Sequence, residues 1–230
     1  LGSAQMWEPQ IEHFKKNYRI LTPDLPGFGK SNKIKSCRSI YSMAKIIIEC
    51  LKKKKIEKFY LLGHSMGGMV VQDIVNIIGN KISKLICYGT GPIGEVPGRF
   101  ETMDQSIKRL KSEGLQATSY RIAKTWFKSG EKDKYFYLCS KAAKKTNLES
   151  ANNALLAMKN WNGIKNLKKI KNQTLIIWGD QDKSYNFNQA DALNKNIKNS
   201  ELKIFKGFSH NIHLEIPDEF NDYVALFLQK

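Results

Sequence analysis

Residues 58–78 place the tightest constraint on this chain. A short apolar run at Lys58–Leu62 ends in Gly63-His64-Ser65-Met66-Gly67-Gly68, and a helical pattern follows without a spacer as far as Ile78, closed by Gly79. A buried strand that turns directly into a helix suits a parallel sheet with helices on its faces. It suits little else. Glycines at 63 and 67 would remove side chains where the two backbones crowd, and Gly68 extends that clearance. A serine on such a turn projects its hydroxyl clear of the sheet. The helix start behind it offers unpaired N–H groups and a positive dipole end. The N–H of Met66 is then aimed at any oxyanion forming on a substrate of Ser65, a contribution of about 3 kcal/mol to transition-state stabilisation. A phosphate-binding loop would instead need Gly-Lys followed by Ser or Thr, which is missing.

The rest of the chain repeats the alternation of strand and helix. Tyr18–Thr22 reads as a first strand, leading into the turn Asp24-Leu25-Pro26-Gly27-Phe28-Gly29. Apolar positions at Ile40, Met43, Ala44, Ile47, Ile48 and Leu51 predict a helix over 39–51 with Ser39 as its N-cap. Leu85–Tyr88, Thr174–Trp178 and Leu202–Phe205 read as further strands, and 187–197 and 218–229 as helices. Between Pro92 and Ile170 no strand pattern occurs, and helical patterns recur around 101–113, 116–128, 134–144 and 148–159. The expected organisation is an α/β core formed by 1–91 and 171–230, with a helical lid inserted at 92–170.

A serine nucleophile needs a general base, and the base needs an orienting carboxylate. In open parallel sheets the site lies at the carboxyl ends of the strands. Asp180 and Asp182 follow the strand at 174–178 and both qualify; Asp182 is preferred, with Asp180 shaping the turn. Among His13, His64, His210 and His213, His210 follows the strand at 202–205 and returns to the same edge. His64 adjoins the serine, so its ring is expected to point away. His213 is expected to support the loop.

Composition narrows the alternatives. The net charge of +17 invites a nucleic-acid or anionic-membrane reading. The lysines, however, are spread along the whole chain, and no nucleic-acid recognition module is present. The Lys52–Lys55 run falls where a helix C-terminus favours cations. No apolar run is long enough to span a membrane. Cys37, Cys50, Cys87 and Cys139 form no metal-binding spacing and read as free thiols in a reducing, cytoplasmic setting. Neither a metal nor an organic cofactor is called for, and neither nucleic acid nor membrane is expected as a partner.

Four blocks in order, Asp24-Leu25-Pro26-Gly27-Phe28-Gly29-Lys30-Ser31, Gly63–Gly68, Trp178-Gly179-Asp180-Gln181-Asp182 and His210–Pro217, resemble the signature blocks of the α/β-hydrolase superfamily. The resemblance implies that fold and a Ser65–His210–Asp182 triad. Gly89–Gly94, the run Gly114–Phe127 and the overall size are similar to 3-oxoadipate enol-lactonases and related small esterases. The family carries a His-Gly stretch ahead of a segment like Leu1–Trp7, so the resemblance assigns the second oxyanion donor to the N–H of Leu1. It also implies that roughly 20–30 residues, with at least one strand, precede Leu1. Lys183-Ser184-Tyr185 departs from the proline-containing turn common in the family.

The expected activity is hydrolysis of a small carboxylic ester or lactone. A carbon–carbon bond hydrolase of a dienoate ring-fission product would use the same triad. A non-catalytic binding protein on this fold should show a decayed triad. Arg99, Trp126, Phe127 and Trp161 are the lid residues expected to contact substrate.

Overall fold

The computed structural model describes residues 2–230; Leu1 lies outside the described residues. Helices α1 (Glu8–Phe14) and α2 (Ile40–Lys53) precede the first strand. Four strands then pair in sequence order into one parallel sheet: β1 (Phe59–His64), β2 (Ile82–Tyr88), β3 (Gln173–Gly179) and β4 (Ser200–Phe205). Parallel neighbours require a crossover between them. Helix α3 (Met66–Ile78) supplies the first and α7 (Phe187–Asn196) the last. The middle crossover, from β2 to β3, contains α4 (Met103–Lys124), α5 (Phe136–Ala143) and α6 (Leu148–Lys159). The chain ends with the short α8 (Ile212–Glu215) and α9 (Pro217–Gln229).

The apolar runs of β2 and β3 are continuous because both sheet faces are covered. Leu85, Cys87, Ile176 and Trp178 face a core shared with Ile40 and Met43 of α2, Met69 and Ile74 of α3, and Leu193 of α7. The alternate residues Ile86, Tyr88, Leu175 and Ile177 face a second core with Phe14 of α1 and Phe220, Val224 and Phe227 of α9. Each fully buried side chain of this size contributes about 1.5–3 kcal/mol. Burial on two faces therefore fixes the strand register strongly.

Local signals set the helix ends. Ser39 Oγ accepts the N–H of Ser42 at 3.1 Å, as expected of an N-cap. Thr102 and Gln105 form a reciprocal capping box at the start of α4. Gly79 does not close α3 in a left-handed cap: its φ is −55° and the helix runs into a 3-10 turn at Gly79–Lys81. Asn172 Nδ2 takes the carbonyls of Gly79 and Ile82 at 2.9 and 2.6 Å, a long-range cap not visible from local sequence.

Two expectations change. The stretch 18–22 is not a strand, because it makes no ladder hydrogen bonds with the described residues. Tyr18 and Ile20 still pack into the second core, and the Tyr18 ring lies 6.0 Å from that of Tyr60 on β1. Its apolar pattern is satisfied by burial alone, whereas a strand also needs a paired backbone. The two helices expected at 101–113 and 116–128 form one kinked element broken at Gly114 (φ 81°, ψ 173°), and the helix stops at Lys124. Beyond it the chain turns back toward residues 209–215. Met6, Phe127, Phe136, Leu138, Cys139 and Leu214 form a third, smaller core there. No helix among the described residues is long and apolar enough to cross a membrane.

Candidate active site

The carboxyl ends of β1, β2 and β3 bring the candidate residues together. Ser65 stands between β1 and α3 with φ 56° and ψ −122°, one of two non-glycine residues with positive φ among those described. Such strain persists only where the surroundings over-determine it. They do so here. Ser65 N donates to Tyr88 O at 2.9 Å, while the Ser65 carbonyl accepts from Gly68 N and Thr90 Oγ1, each at 2.9 Å. A side chain at residue 63 would meet the Gly67 backbone, and one at residue 68 would meet Thr90. A side chain at residue 67 would meet nothing within 4 Å, so the steric need lies at Gly63 and Gly68 rather than at Gly67. Met66 opens α3 and its N–H makes no backbone hydrogen bond, leaving that donor free.

The loop after β4 carries His210 back to this edge. His210 Nδ1 lies 2.7 Å from Asp182 Oδ2, and both side chains are almost wholly buried. The other carboxylate oxygen of Asp182 accepts the N–H groups of Ser184 at 2.7 Å and Tyr185 at 3.0 Å. A carboxylate so held keeps the Nδ1 proton of neutral His210, which leaves Nε2 as the basic nitrogen. Asp180 takes the other role expected of the pair, since its Oδ1 accepts Gly207 N at 2.7 Å where Gly207 turns with φ 81°.

His64 does not point away from the site. Its ring lies 4.4 Å from that of His210 and stacks on Tyr88 at 4.3 Å. Strand alternation explains this: His64 and its register partner Tyr88 face the side packed by α9, from which the His210 loop arrives. Burial, reinforced by His210, holds His64 well below its usual pKa. Neutral His64 therefore carries its proton on Nε2, which donates to His210 O at 3.0 Å. His213 is buried, with Nδ1 3.1 Å from Tyr88 Oη, and burial lowers its pKa to about 3.

Two residues were given no place in the site from sequence. Gly89 has φ 50°, and a side chain there would press on His210 Nδ1 at 3.1 Å and His64 Cδ2 at 3.2 Å. The Gly89–Gly94 stretch stood out in sequence only for its family resemblance; a glycine just after a strand is the signal that could have given it this steric role. Tyr185, in the turn that departs from the family pattern, stacks on His210 with centroids 5.8 Å apart and planes at 14°. Its hydroxyl lies beside the Ser65 side chain, yet makes no hydrogen bond of ordinary geometry.

Of the four lid residues expected at the site, Trp126 comes closest, with its ring 5.9 Å from His210 and its carbonyl accepting Asn211 N at 2.9 Å. Phe127 is buried in the third core against Phe136. Trp161 packs into the first core and donates from Nε1 to Asp73 at 3.2 Å, two turns along α3 from Ser65. These two side chains are committed to packing instead. Arg99 lies beside the Asp182 turn, through Phe100 N to Lys183 O at 2.9 Å. Leu1, the expected second oxyanion donor, lies outside the described residues.

A serine on a strained strand-to-helix turn, with a buried histidine–carboxylate pair beside it on a parallel α/β sheet, defines a class of hydrolase fold. A family profile for the alpha/beta hydrolase fold matches residues 1–217, and the chain belongs to that family. A 2-hydroxy-6-oxononadienedioate/2-hydroxy-6-oxononatrienedioate hydrolase of Escherichia coli O81 (strain ED1a) is 31% identical over 94% of this chain and 78% of its own length. The fold also matches an esterase from Exiguobacterium antarcticum (TM-score 0.90, 22% identity, 100% of this chain and 88% of that one). It matches the enol-lactonase from Burkholderia xenovorans LB400 with TM-score 0.90, 21% identity and the same coverage.

Proposed function

We propose that this α/β-hydrolase cleaves a small carboxylic ester or lactone through an acyl-enzyme on Ser65, with His210 as general base and Asp182 as its orienting carboxylate. The observation that carries this reading is the buried His210–Asp182 contact of 2.7 Å beside the strained turn at Ser65. Ser65 Oγ attacks the carbonyl carbon while His210 Nε2 takes the hydroxyl proton. The electron pair of the C=O bond moves onto oxygen, where the Met66 N–H holds it. Collapse expels the alkoxide, which leaves with the proton from His210. Water, deprotonated by His210, then attacks the acyl-enzyme and releases the acid and Ser65. Asp182 stays ionised throughout and stabilises the imidazolium.

In this reading residues 92–170 act as a lid that walls the acyl pocket from above. Three contacts from its α4 end support the idea: Asn211 N to Trp126 O, Ser209 Oγ to Thr125 O, and Lys128 N to Glu215 Oε1. Four unbridged cysteines favour a reducing compartment, in keeping with the cytoplasmic setting expected from sequence. The test is turnover of p-nitrophenyl acetate by Ser65→Ala and Asp182→Asn. Ser65→Ala should abolish it, and Asp182→Asn should lower kcat by about 10³–10⁴-fold. Unchanged turnover in Ser65→Ala refutes the assignment.

The E. coli relative, 31% identical to this chain, favours a second reading, because its name describes a hydrolase of a dienedioate, the kind of substrate expected for carbon–carbon bond cleavage. The same Ser65, His210 and Asp182 would serve. Turnover of a dienoate and an enol-lactone compared side by side separates the two readings.

A further inference from the structure

We propose that the rim formed by the amino ends of the four strands, at the end of the sheet opposite Ser65, adsorbs the protein onto an anionic phospholipid membrane. The inference stands apart from the hydrolase chemistry and concerns where the protein works. Counted along the chain the lysines look evenly spread, and no membrane partner is expected; the fold gathers them.

Strands β1 to β4 are parallel, so the four segments that lead into them meet at one rim. These segments, 52–58, 79–84, 168–173 and 195–201, hold 12 Lys against Glu57 and Glu201, a net +10 of the chain's +17. Long-range hydrogen bonds tie them side by side. Lys58 Nζ donates to Asn80 O at 3.0 Å, Asn172 Nδ2 to Gly79 O at 2.9 Å, and Asn199 Nδ2 to Lys171 O at 2.8 Å. Of the twelve lysines Lys84 alone is buried, and its ammonium donates to the carbonyls of Phe227 and Leu228 at 2.8 and 3.3 Å. Only Lys52 and Lys195 form ion pairs among the described residues, with Glu49 and Asp191. Cations do complement helix carboxyl ends, and α2, α3 and α7 end at this rim, but each supplies only about half a negative charge. That offset is far smaller than the charge it faces.

The composition of the rim selects the partner. Its four segments contain no Arg and no aromatic side chain. Nucleic-acid surfaces use Arg forks and aromatic stacking, and protein interfaces are depleted in Lys. A hydrated lysine ammonium needs no matching geometry. It suits the diffuse negative potential above anionic headgroups, where each further charge adds to the attraction. Two apolar side chains border the rim and can meet the lipid boundary. Ile77, in the last turn of α3, is 40% exposed, and Leu226, in the last turn of α9, is 54% exposed. Ser65 follows the far end of the six-residue β1, about 20 Å from the rim. An adsorbed molecule therefore keeps its catalytic edge turned to water.

The experiment is cosedimentation of the full chain with phosphatidylcholine vesicles, with and without about 30% phosphatidylserine. At about 50 mM salt the protein should bind the anionic vesicles at least tenfold more tightly, and about 0.5 M salt should remove most of that binding. Two double variants reverse the same amount of charge: Lys53→Glu with Lys54→Glu at the rim, and Lys108→Glu with Lys111→Glu on the exposed side of α4. The rim variant should bind at least tenfold more weakly at an unchanged Tm, and the α4 variant should stay within about twofold of wild type. Lys168→Glu with Lys169→Glu, from a different segment of the rim, should repeat the first result and decides the matter if the other rim pair fails to fold. Equal affinity for the two vesicle types, equal losses in rim and α4 variants, or no loss in a folded rim variant overturns the proposal. Rim-dependent binding of a duplex DNA oligonucleotide that is tighter than binding to the anionic vesicles also overturns it, and assigns the face to nucleic acid.

Discussion

The hydroxyl of Tyr88 donates to the backbone carbonyl of His210 at 2.8 Å, so the last residue of β2 sets the height at which the His210 loop crosses the sheet edge. The same oxygen accepts the backbone N–H of His213 at 3.2 Å. One phenol therefore joins the sheet to both ends of a four-residue loop segment, from a fully buried position. Tyr88→Phe should cost about 1–3 kcal/mol in urea unfolding, the range for stranding buried partners. It should also lower kcat more than it alters KM. An unchanged kcat would show that the loop holds His210 without this tie.

Gly89→Ala should act through shape. The positive φ of 50° strains any side chain, at a cost of about 1–3 kcal/mol. The added methyl also presses on the His210 and His64 rings. Ester turnover should fall at least tenfold at temperatures well below the variant's melting point. Near-normal turnover with only a lowered Tm would mean that His210 has room to shift.

Glu215 clamps two segments at once: its carboxylate accepts Lys128 N at 2.6 Å and Ser209 N at 2.8 Å. Burial raises its pKa, and these two amides counteract that shift. Glu215→Gln sets an amide group against one of the two donors. Hydrogen exchange at Lys128 and Ser209 should quicken together, because a single side chain closes both. Faster exchange at one amide alone would contradict the clamp.

Acid should destabilise the protein through its buried histidines. His213 has an unfolded value near 6.5 and a folded value of about 3, so between these the unfolded chain binds one more proton than the native state. Stability then falls as pH drops through that window, by about 1.4 kcal/mol per pH unit at most for each such group. His64 is shifted in the same direction by burial and adds to the effect. In urea titrations at pH 7.5 and pH 5, wild type should lose more stability than His213→Gln. Equal losses would place the acid sensitivity elsewhere.

The linear order of residues determined a large part of this molecule. The run into Gly63–Gly68 fixed a strand-to-helix turn, because that pattern leaves the backbone few alternatives. Continuous apolar runs at 85–88 and 174–178 marked strands covered on both faces. The positions of Asp182 and His210 just beyond strand ends sufficed to put them at one edge, since parallel strands carry all their carboxyl ends to the same side.

Tertiary structure decided what spacing cannot encode. The stretch 18–22 has a strand's apolar pattern but no ladder, because pairing depends on a neighbour and not on the segment itself. His64 turns toward His210 because the face its strand alternation selects is the face from which the distant loop returns. Phe127 and Trp161 were chemically suited to a pocket, yet local cores absorbed them. Tyr185 and His210, 25 residues apart in the chain, stack on each other only in the folded protein, where two separate loops return to one sheet edge. Sequence carries the chemistry of each side chain; which donors are left unpaired, and next to what, is settled only when all the others have found their partners.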